Sequence, residues 1–430
     1  MQARSVLLLT CDNSIETVSM YYCALRIGVV PILLDSRVSV GFLTEYIISY
    51  RPQYIWIKRN TYQEKELHCC KEYIGYKDHI LYKSDYEQYE INSELGIVLT
   101  TSGTTGSKKT VRISYDNILH NTRMVNEIFS ISPCDRAITS LPIHHSLGLL
   151  LLHAVWMAGG SALLYEGMVL NPDYLRLIDK YKVTVTFLVP YNLDLIYMTD
   201  ITAAAYDCLR CVMIGGEKLQ DKTREQWLSF CDNHKIQSFL GYGQTEGSGY
   251  ISCVDFHKQI DRDHVGIPHT DTEIWLDHKD NQNIGELVIK NKSVSLGYAH
   301  NWSDLKKGDE NKGILRTGDI AYIDEIGNLY IKGRKKRIVK ILGERISLDD
   351  LEEIIKSGFP NCGVACLEID GNLTVIYDND LINKNDISAR IEQATNIHKK
   401  MIRIVLLDKL PRLSNGKTDY LGIRSQVCNE

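Results

Sequence analysis

Residues 101–109 read Thr-Ser-Gly-Thr-Thr-Gly-Ser-Lys-Lys and follow a strand-like run, Ile97-Val98-Leu99-Thr100. Hydroxyls, two glycines and two lysines fill the segment, and no large apolar side chain stands before Val111. Glycine lets a backbone approach a ligand closely, exposed N–H and O–H groups donate, and lysine offsets charge. Together they suit a polyphosphate. An ordinary polar loop has the same composition, and short motifs carry false positives. The G-x-x-x-x-G-K-[ST] phosphate loop is one candidate. Counted from Gly103, its lysine and threonine fall at Lys109 and Thr110, but Lys108 occupies the place of its second glycine. That glycine is what lets the backbone wrap the phosphates, so a P-loop NTPase or kinase is disfavoured.

Further segments follow in order. They are LPIHHSLGL at 141–149, MIGGEKL at 213–219, GYGQTEGSG at 241–249, HVGIP at 264–268, GELVI at 285–289 and Gly297-Tyr298. A long stretch from Leu315 to Ile355 contains RTGD and GRKKR, and PRLSNGK closes the series at 411–417. With the loop at 101–109, these resemble the ordered motifs of the adenylate-forming superfamily over almost the whole chain. That superfamily comprises acyl-CoA and aryl-CoA synthetases, luciferases and peptide-synthetase adenylation domains. Its phosphate loop has the form (T/S)SG(T/S)TG-x-PKG. Here Lys109 matches the family lysine, while Lys108 and Thr110 replace proline and glycine.

The resemblance implies activation of a carboxylic acid in two steps. The acid attacks the α-phosphate of Mg-ATP, giving an acyl-adenylate and pyrophosphate; a thiol then displaces AMP. The first step needs charge neutralisation and in-line positioning. By the family pattern, Thr101, Ser102, Gly103, Thr104, Thr105, Gly106 and Lys109 would hold the β- and γ-phosphates. Gly215, Gly216 and Glu217 would cup the adenine, and Tyr242, followed by Gly243, would stack on it. Thr245 would offer a hydroxyl to the α-phosphate. Glu246 would ligate magnesium, which takes few carboxylates beside phosphate oxygens. Asp319 would accept from the ribose hydroxyls and Arg334 would hold the ribose or phosphate.

Lys336 stands at the family's hinge position. Lys417 would serve adenylation as a point charge on a flexible stem, and Lys340 would serve thioester formation. Gly343 matches a family glycine on the face that receives the pantetheine arm. His144 and His145 are adjacent, so their side chains diverge and a shared metal is not expected. His145 matches the residue that packs near the substrate carboxylate and lines the thiol tunnel.

The acid and the acceptor are less defined. Peptide-synthetase domains pair an α-ammonium with an aspartate in the segment that here reads His144-His145-Ser146-Leu147. No acidic residue lies between Pro142 and Tyr165, so an aliphatic, aryl or hydroxy acid is expected over an α-amino acid. An amino-acid-specific stand-alone adenylation enzyme is the alternative. No carrier-protein motif follows Lys417, and thirteen residues remain. The thiol is therefore expected in trans, from coenzyme A or the phosphopantetheine of a stand-alone carrier protein. The altered loop and compact size lean toward carrier or specialised biosynthetic use.

These residues need a scaffold. Val6–Thr10, Val29–Leu34 and Tyr54–Ile57 read as strands, with helices over Ser14–Ile27 and Val38–Tyr50 between them. A helix is expected over Tyr115–Ser130, from the spacing of Ile118, Thr122, Val125, Ile128 and Phe129. Short apolar strands follow at Ala137–Leu141, Ala162–Tyr165, Val183–Val189 and Cys211–Ile214. Alternating strands and helices predict parallel α/β layers. After about residue 265, shorter strands and frequent turns predict a small β-rich subdomain.

The fold class is therefore α/β. A large AMP-binding domain is expected over 1–335, followed by a small mobile α+β lid domain over 336–430. Roughly the first fifty residues of a typical member have no counterpart here. A compact active variant is expected, with a non-catalytic adenylate-binding or partner protein as the alternative.

Bulk properties agree. A chain of 430 residues, 44% hydrophobic and 24% charged, is ordinary for a globular protein. A net charge of -5 gives no case for nucleic acid or an anionic membrane. No apolar run reaches the length of a membrane span, and the VLLL run at 6–9 is too short for a signal peptide, so a cytoplasmic location is expected. Twelve cysteines include one C-x-x-C, Cys208 and Cys211. With no second pair at zinc spacing, these, Cys69 with Cys70, and Cys362 with Cys366 are expected as reduced core thiols.

Overall fold

In the computed structural model, residues 1–62, 67, 70–100, 110–167, 169–197, 206–216, 218–219, 221–341, 344–360, 362–369, 372–395, 402–413 and 416–428 are described. These fall into two units. One comprises residues 1–100, 110–274 and 289–315; the other comprises residues 275–288 and 316–428.

The first unit is built on two mixed sheets. The strands of the first are β1 (Val6–Cys11), β2 (Val30–Asp35), β3 (Tyr54–Lys58), β4 (Cys70–Tyr76), β5 (His79–Ser84), β6 (Leu95–Thr100) and β7 (Thr110–Ser114), with the short strand Gly297–Ala299. Their spatial order is Gly297–Ala299, β7, β6, β2, β1, β3, β5, β4. The central strands β6, β2, β1 and β3 run parallel, and the flanks are antiparallel. The central strands are buried along almost their whole length, which is why they read as continuous apolar runs. The hairpin β4–β5 was not anticipated from the sequence. Its strand β4 is an edge strand with exposed side chains, so it lacks the apolar pattern that marks a half-buried strand.

The second sheet holds β8 (Arg136–Ile138), β9 (Ser161–Leu163), β10 (Val185–Leu188), β11 (Cys211–Gly215), β12 (Gln237–Tyr242), β13 (Ser252–Asp255) and β14 (Ile267–Pro268). Its order is β14, β13, β12, β11, β10, β8, β9, and the five strands from β12 to β9 are parallel.

Helices cover these sheets for legible reasons. Ser14 caps the helix Ile15–Arg26 by accepting from the Thr17 N–H, and that helix buries Val18, Tyr21 and Ala24. Tyr115–Phe129 opens on a capping box between Ser114 and Asn117. It buries Thr122, Val125 and Phe129, while Ile118 and Ile128 are half-buried. Phe129 packs edge-on against Phe187 and Phe239, with ring centroids 5.7 and 4.9 Å away.

The helix Ser146–Met157 is apolar all round, and Leu147 through Val155 are all buried. Leu149 and Leu152 enter the core of the first sheet, while Leu147, Leu150, Leu151, Ala154 and Val155 enter the core beside β10 and β11. Burial on both sides fixes this helix, and with it the histidines at its start.

His153, on the same helix, places Nε2 2.9 Å from the Tyr21 hydroxyl. Burial pushes its pKa down to about 4, against an ordinary value near 6.5. Unfolding frees the ring to bind a proton, so its contribution to stability is complete above about pH 6.5 and is lost as pH falls toward 4. The window amounts to about 3 kcal/mol. His153→Gln is expected to flatten the fall in melting temperature between pH 6.5 and 4 relative to the parent. Parallel curves for the two proteins would contradict this.

The second unit carries most of a sheet of Glu273–Asp277, Gly285–Lys290, Ile314–Ile323 and Leu329–Arg334, the ends of whose first three strands belong to the first unit, together with a two-stranded ladder Ile338–Ile341 with Glu344–Ser347 and a sheet of Val364–Ile369, Asn372–Tyr377 and Ile402–Leu406. Its helices are Leu348–Gly358, Lys384–Thr395 and Tyr420–Cys428. Leu351, Ile355, Val364, Leu373, Ile387 and Ile391 form a core there. The expected α/β class, with a β-rich part after residue 265, is what the chain adopts.

Candidate functional site

The hydroxyl–glycine segment leaves β6 and enters β7. The ladder between these strands is antiparallel and pairs Thr100 with Thr110. Thr100 and Thr110, which flank the segment, are therefore held side by side. Thr101, Ser102, Gly103, Thr104, Thr105, Gly106 and Lys109 themselves lie outside the described residues, as do Glu217 and Gly343.

In the first unit, the two adenine segments are neighbours. Strands β11 and β12 are parallel and pair Gly215 with Gly241, so Gly215, Gly216, Tyr242 and Gly243 sit at adjacent carboxyl ends. Ligands of open parallel sheets bind at such ends. Gly216 has φ of +104°, a left-handed conformation that favours glycine. A side-chain carbon on Gly243 would collide with the Gly249 carbonyl, so the turn after β12 closes only with glycine there.

That turn leads into a short 3₁₀ segment, Thr245–Gly247, which carries both Thr245 and Glu246. Two contacts hold Glu246. The Ser295 N–H donates to its carbonyl at 2.9 Å. The Tyr298 hydroxyl donates to its Oε1 at 2.7 Å. Tyr298 had been noted only as part of a Gly-Tyr pair, without a role. A tyrosine on the short edge strand beside β7 was the available signal, but its partner is 52 residues away in sequence.

Arg112 fixes Tyr298 in turn. It is fully buried on β7. Its guanidinium donates to the carbonyls of Tyr298 (3.1 Å), Leu296 (3.0 Å), Gly308 (3.1 Å) and Lys307, and pairs with Glu310. No motif pointed to Arg112, because one arginine inside a strand pattern has no spacing to betray it.

His145 has extended backbone at the start of the helix Ser146–Met157 and is half-buried, its N–H donating to the Pro142 carbonyl at 3.0 Å. His144 places Nε2 3.7 Å from the Asp35 carboxylate, at the end of β2, and Asp35 also pairs with Arg37. Burial outweighs Asp35 and pushes the His144 pKa down to about 4, so its ring is neutral at physiological pH. Among the described residues, no group of three or more His, Cys, Asp or Glu side chains is arranged to hold a metal. Cys211, Cys362 and Cys366 are buried thiols as expected, but Cys208 is exposed and Cys70, on the edge strand β4, is only half-buried; Cys69 lies outside the described residues.

In the second unit, Asp319 and Arg334 face each other across the Ile314–Ile323 and Leu329–Arg334 ladder. The Arg334 Nε lies 2.9 Å from the Asp319 carboxylate, which is itself almost wholly buried. Lys336 lies in the short 3₁₀ turn Lys335–Arg337 and Lys340 in the strand Ile338–Ile341; their side chains are outside the described set. Lys417 is half-exposed in a tight loop. Its carbonyl accepts from the Leu413 N–H at 2.8 Å, Arg412 donates to the Gly416 carbonyl, and Arg412 bridges to Thr418.

A family model described as AMP-binding enzyme matches residues 1–299. A 2-succinylbenzoate–CoA ligase of Staphylococcus epidermidis is 27% identical over 356 residues, covering 81% of this chain and 73% of the relative. A 4-coumarate–CoA ligase-like protein of Arabidopsis thaliana is 26% identical over 350 residues, covering 76% and 62%. Among solved structures, the o-succinylbenzoate coenzyme A synthetase of Bacillus subtilis in complex with ATP and magnesium superposes with a TM-score of 0.79. It is 20% identical, with 99% of this chain and 90% of that one covered. ATP-bound MatB from Rhodopseudomonas palustris gives a TM-score of 0.77 at 20% identity, covering 99% and 89%. These structures share the fold.

Proposed function

Because the chain belongs to the AMP-binding enzyme family, we propose that it is an AMP-forming acid–thiol ligase whose acid bears an aromatic ring and whose thiol is coenzyme A. The acid carboxylate attacks the α-phosphorus of ATP. The new bond is carboxylate oxygen to phosphorus, the broken one joins the α- and β-phosphates, and pyrophosphate departs. The thiol sulfur then attacks the acyl carbon, AMP leaves with the carbon–oxygen electron pair, and the thiol proton passes to solvent.

The observation that carries this reading is the family match over residues 1–299 together with the Glu246–Tyr298 pair. A single oriented carboxylate suits a magnesium that arrives on the nucleotide, where phosphate oxygens supply most of its ligands. When bound, that ion offsets phosphate charge. The Tyr298 hydroxyl keeps one Glu246 oxygen engaged and so aims the other. Tyr298→Phe is expected to raise the magnesium concentration for half-maximal pyrophosphate release about 10–100-fold, with folding unchanged. Glu246→Gln should raise it further. A magnesium-supported ATP-binding titration reads the same effect without catalysis, and an unchanged titration in both variants would exclude Glu246 as the ligand.

The other roles follow the family pattern. Gly215, Gly216, Glu217 and Tyr242 receive the adenine, and Thr101–Gly106 with Lys109 take the β- and γ-phosphates. Thr245 donates to the α-phosphate, Asp319 accepts from the ribose and Arg334 steadies it. Lys336 acts as hinge between a domain over 1–335 and a lid over 336–430. Lys417 serves the first half-reaction and Lys340 the second. His145 lines the acid and thiol passage.

Relatives named for 2-succinylbenzoate and 4-coumarate support an aryl acid. The absence of an acidic residue between Pro142 and Tyr165 argues against pairing an α-ammonium. Among the described residues, no helix is long and apolar enough to cross a membrane. A cytoplasmic setting, with reduced thiols, suits the chemistry. The test is acid-dependent ATP–pyrophosphate exchange across aryl, aliphatic, hydroxy and α-amino acids. Exchange with aryl acids is the expected result, and exchange confined to α-amino acids would overturn the substrate class. A carrier protein in place of coenzyme A would appear as acyl transfer to holo-carrier only.

A further inference from the structure

The helix Leu348–Gly358 buries Glu352, a charged side chain only 5% exposed. A carboxylate so enclosed needs partners, because leaving it bare is costly. It has four. The Arg337 guanidinium donates to Oε1 at 2.6 Å. The Cys366 N–H donates to the same oxygen at 2.8 Å. The Tyr420 hydroxyl lies 2.9 Å from Oε2 and 3.1 Å from Oε1. The Lys356 ammonium lies 3.8 Å from Oε2. Arg337 is also tied to Asp349 on the same helix and to the Cys366 carbonyl, and its guanidinium lies 4.0 Å above the Tyr420 ring.

The placement of these residues in the chain gives the cluster its meaning. Arg337 stands three residues before Lys340, and Tyr420 three residues after Lys417. Arg337 ends the 3₁₀ turn that leads directly into the strand Ile338–Ile341. Tyr420 opens the last helix directly after the Lys417 loop. One buried carboxylate thus receives a donor from each lysine-bearing segment.

We infer that Arg337, Glu352 and Tyr420 form a strut that holds the Lys340 strand and the Lys417 loop in a fixed relation, making all three positioning residues for both half-reactions. The inference rests on the lysine roles proposed above. Arg337 serves the strut through its planar fork, which reaches Asp349 and Glu352 at once; a lysine would engage only one. Tyr420 contributes a hydroxyl to Glu352 and a ring face to Arg337, so its two ends act on different partners.

Tyr420→Phe is the decisive variant, because it keeps the ring under the guanidinium and removes only the hydroxyl. Two readouts apply. In hydrogen exchange, cutting the Tyr420 end should speed exchange in the Lys417 loop and also in the remote Ile338–Ile341 strand. Loosening of the loop alone would overturn the strut. In kinetics, kcat for acid-dependent pyrophosphate release should fall about tenfold, the scale of one hydrogen bond to a charged group, with KM for ATP little changed. Arg337→Lys should slow conversion of a supplied acyl-adenylate by a similar factor. A lowered melting temperature with both half-reactions intact would reduce the cluster to a structural role and overturn the positioning claim. A parent enzyme without acid-dependent pyrophosphate release would instead defeat the functional reading, and hydrogen exchange would still decide whether the two segments are coupled.

Discussion

Lys417→Ala is expected to lower acid-dependent pyrophosphate release about 10²–10³-fold, the usual cost of removing one group aimed at charge that develops in a transition state. The loss should fall on kcat more than on KM for ATP, because in the proposed role the ammonium meets the α-phosphate most strongly as the new bond forms. The loop around Lys417 is closed by a backbone bond from the Leu413 N–H to the Lys417 carbonyl and by the Arg412 guanidinium, which donates to the Gly416 carbonyl. Truncating the side chain therefore leaves the loop's frame in place. Conversion of a supplied acyl-adenylate to thioester should stay within a few-fold of the parent. Lys340→Ala should show the reverse pattern. If each variant loses both half-reactions equally, the division of labour between the two lysines is wrong.

Arg112→Met should cost about 2–4 kcal/mol of stability, because Glu310 is half exposed and the main loss is that of buried carbonyls left without their donor. That is a large part of what a folded domain has to spare. Methionine matches the stem but supplies no donor, so the carbonyls of Leu296, Tyr298, Lys307 and Gly308 and the Glu310 carboxylate all lose a partner together. The effect should reach the site, since Arg112 holds the backbone of Tyr298 and Tyr298 holds Glu246. Chemical denaturation should show the lower stability. In the fraction that stays folded, the magnesium requirement should shift in the same direction as in Tyr298→Phe. Arg112→Lys should recover only part of the loss, because a single ammonium cannot serve a fork of acceptors. A loss below about 1 kcal/mol would mean that the guanidinium is not the hub its contacts describe.

How much of this was legible in the sequence depends on the range over which each signal acts. The first layer could be read almost residue by residue. Val6–Cys11, Val30–Asp35 and the helix capped by Ser14 emerge within a residue or two of their expected bounds, because apolar runs and caps are local signals. The parallel expectation held only for sheet centres. The antiparallel flanks, β4 with β5 and the return of Gly297–Ala299 to β7, depend on pairings that no local pattern encodes.

The motif residues were visible as types at spacings. What orients them was not. Tyr298, Arg112 and Glu352 act through partners far along the chain, and a lone arginine or glutamate inside an apolar pattern looks like any other polar residue. The extended backbone at His145 and the place of His144 near Asp35 at the end of β2 also depend on the surrounding fold rather than on the adjacent pair itself. The buried, neutral state of His144 came only from its surroundings.

The most direct test of the central claim is a product balance on the purified chain with Mg-ATP, coenzyme A and an aryl carboxylic acid. AMP, pyrophosphate and acyl-coenzyme A should form in equal amounts, each dependent on the acid. Formation of ADP and phosphate, or ATP binding with no acid-dependent AMP for any acid offered, would contradict it.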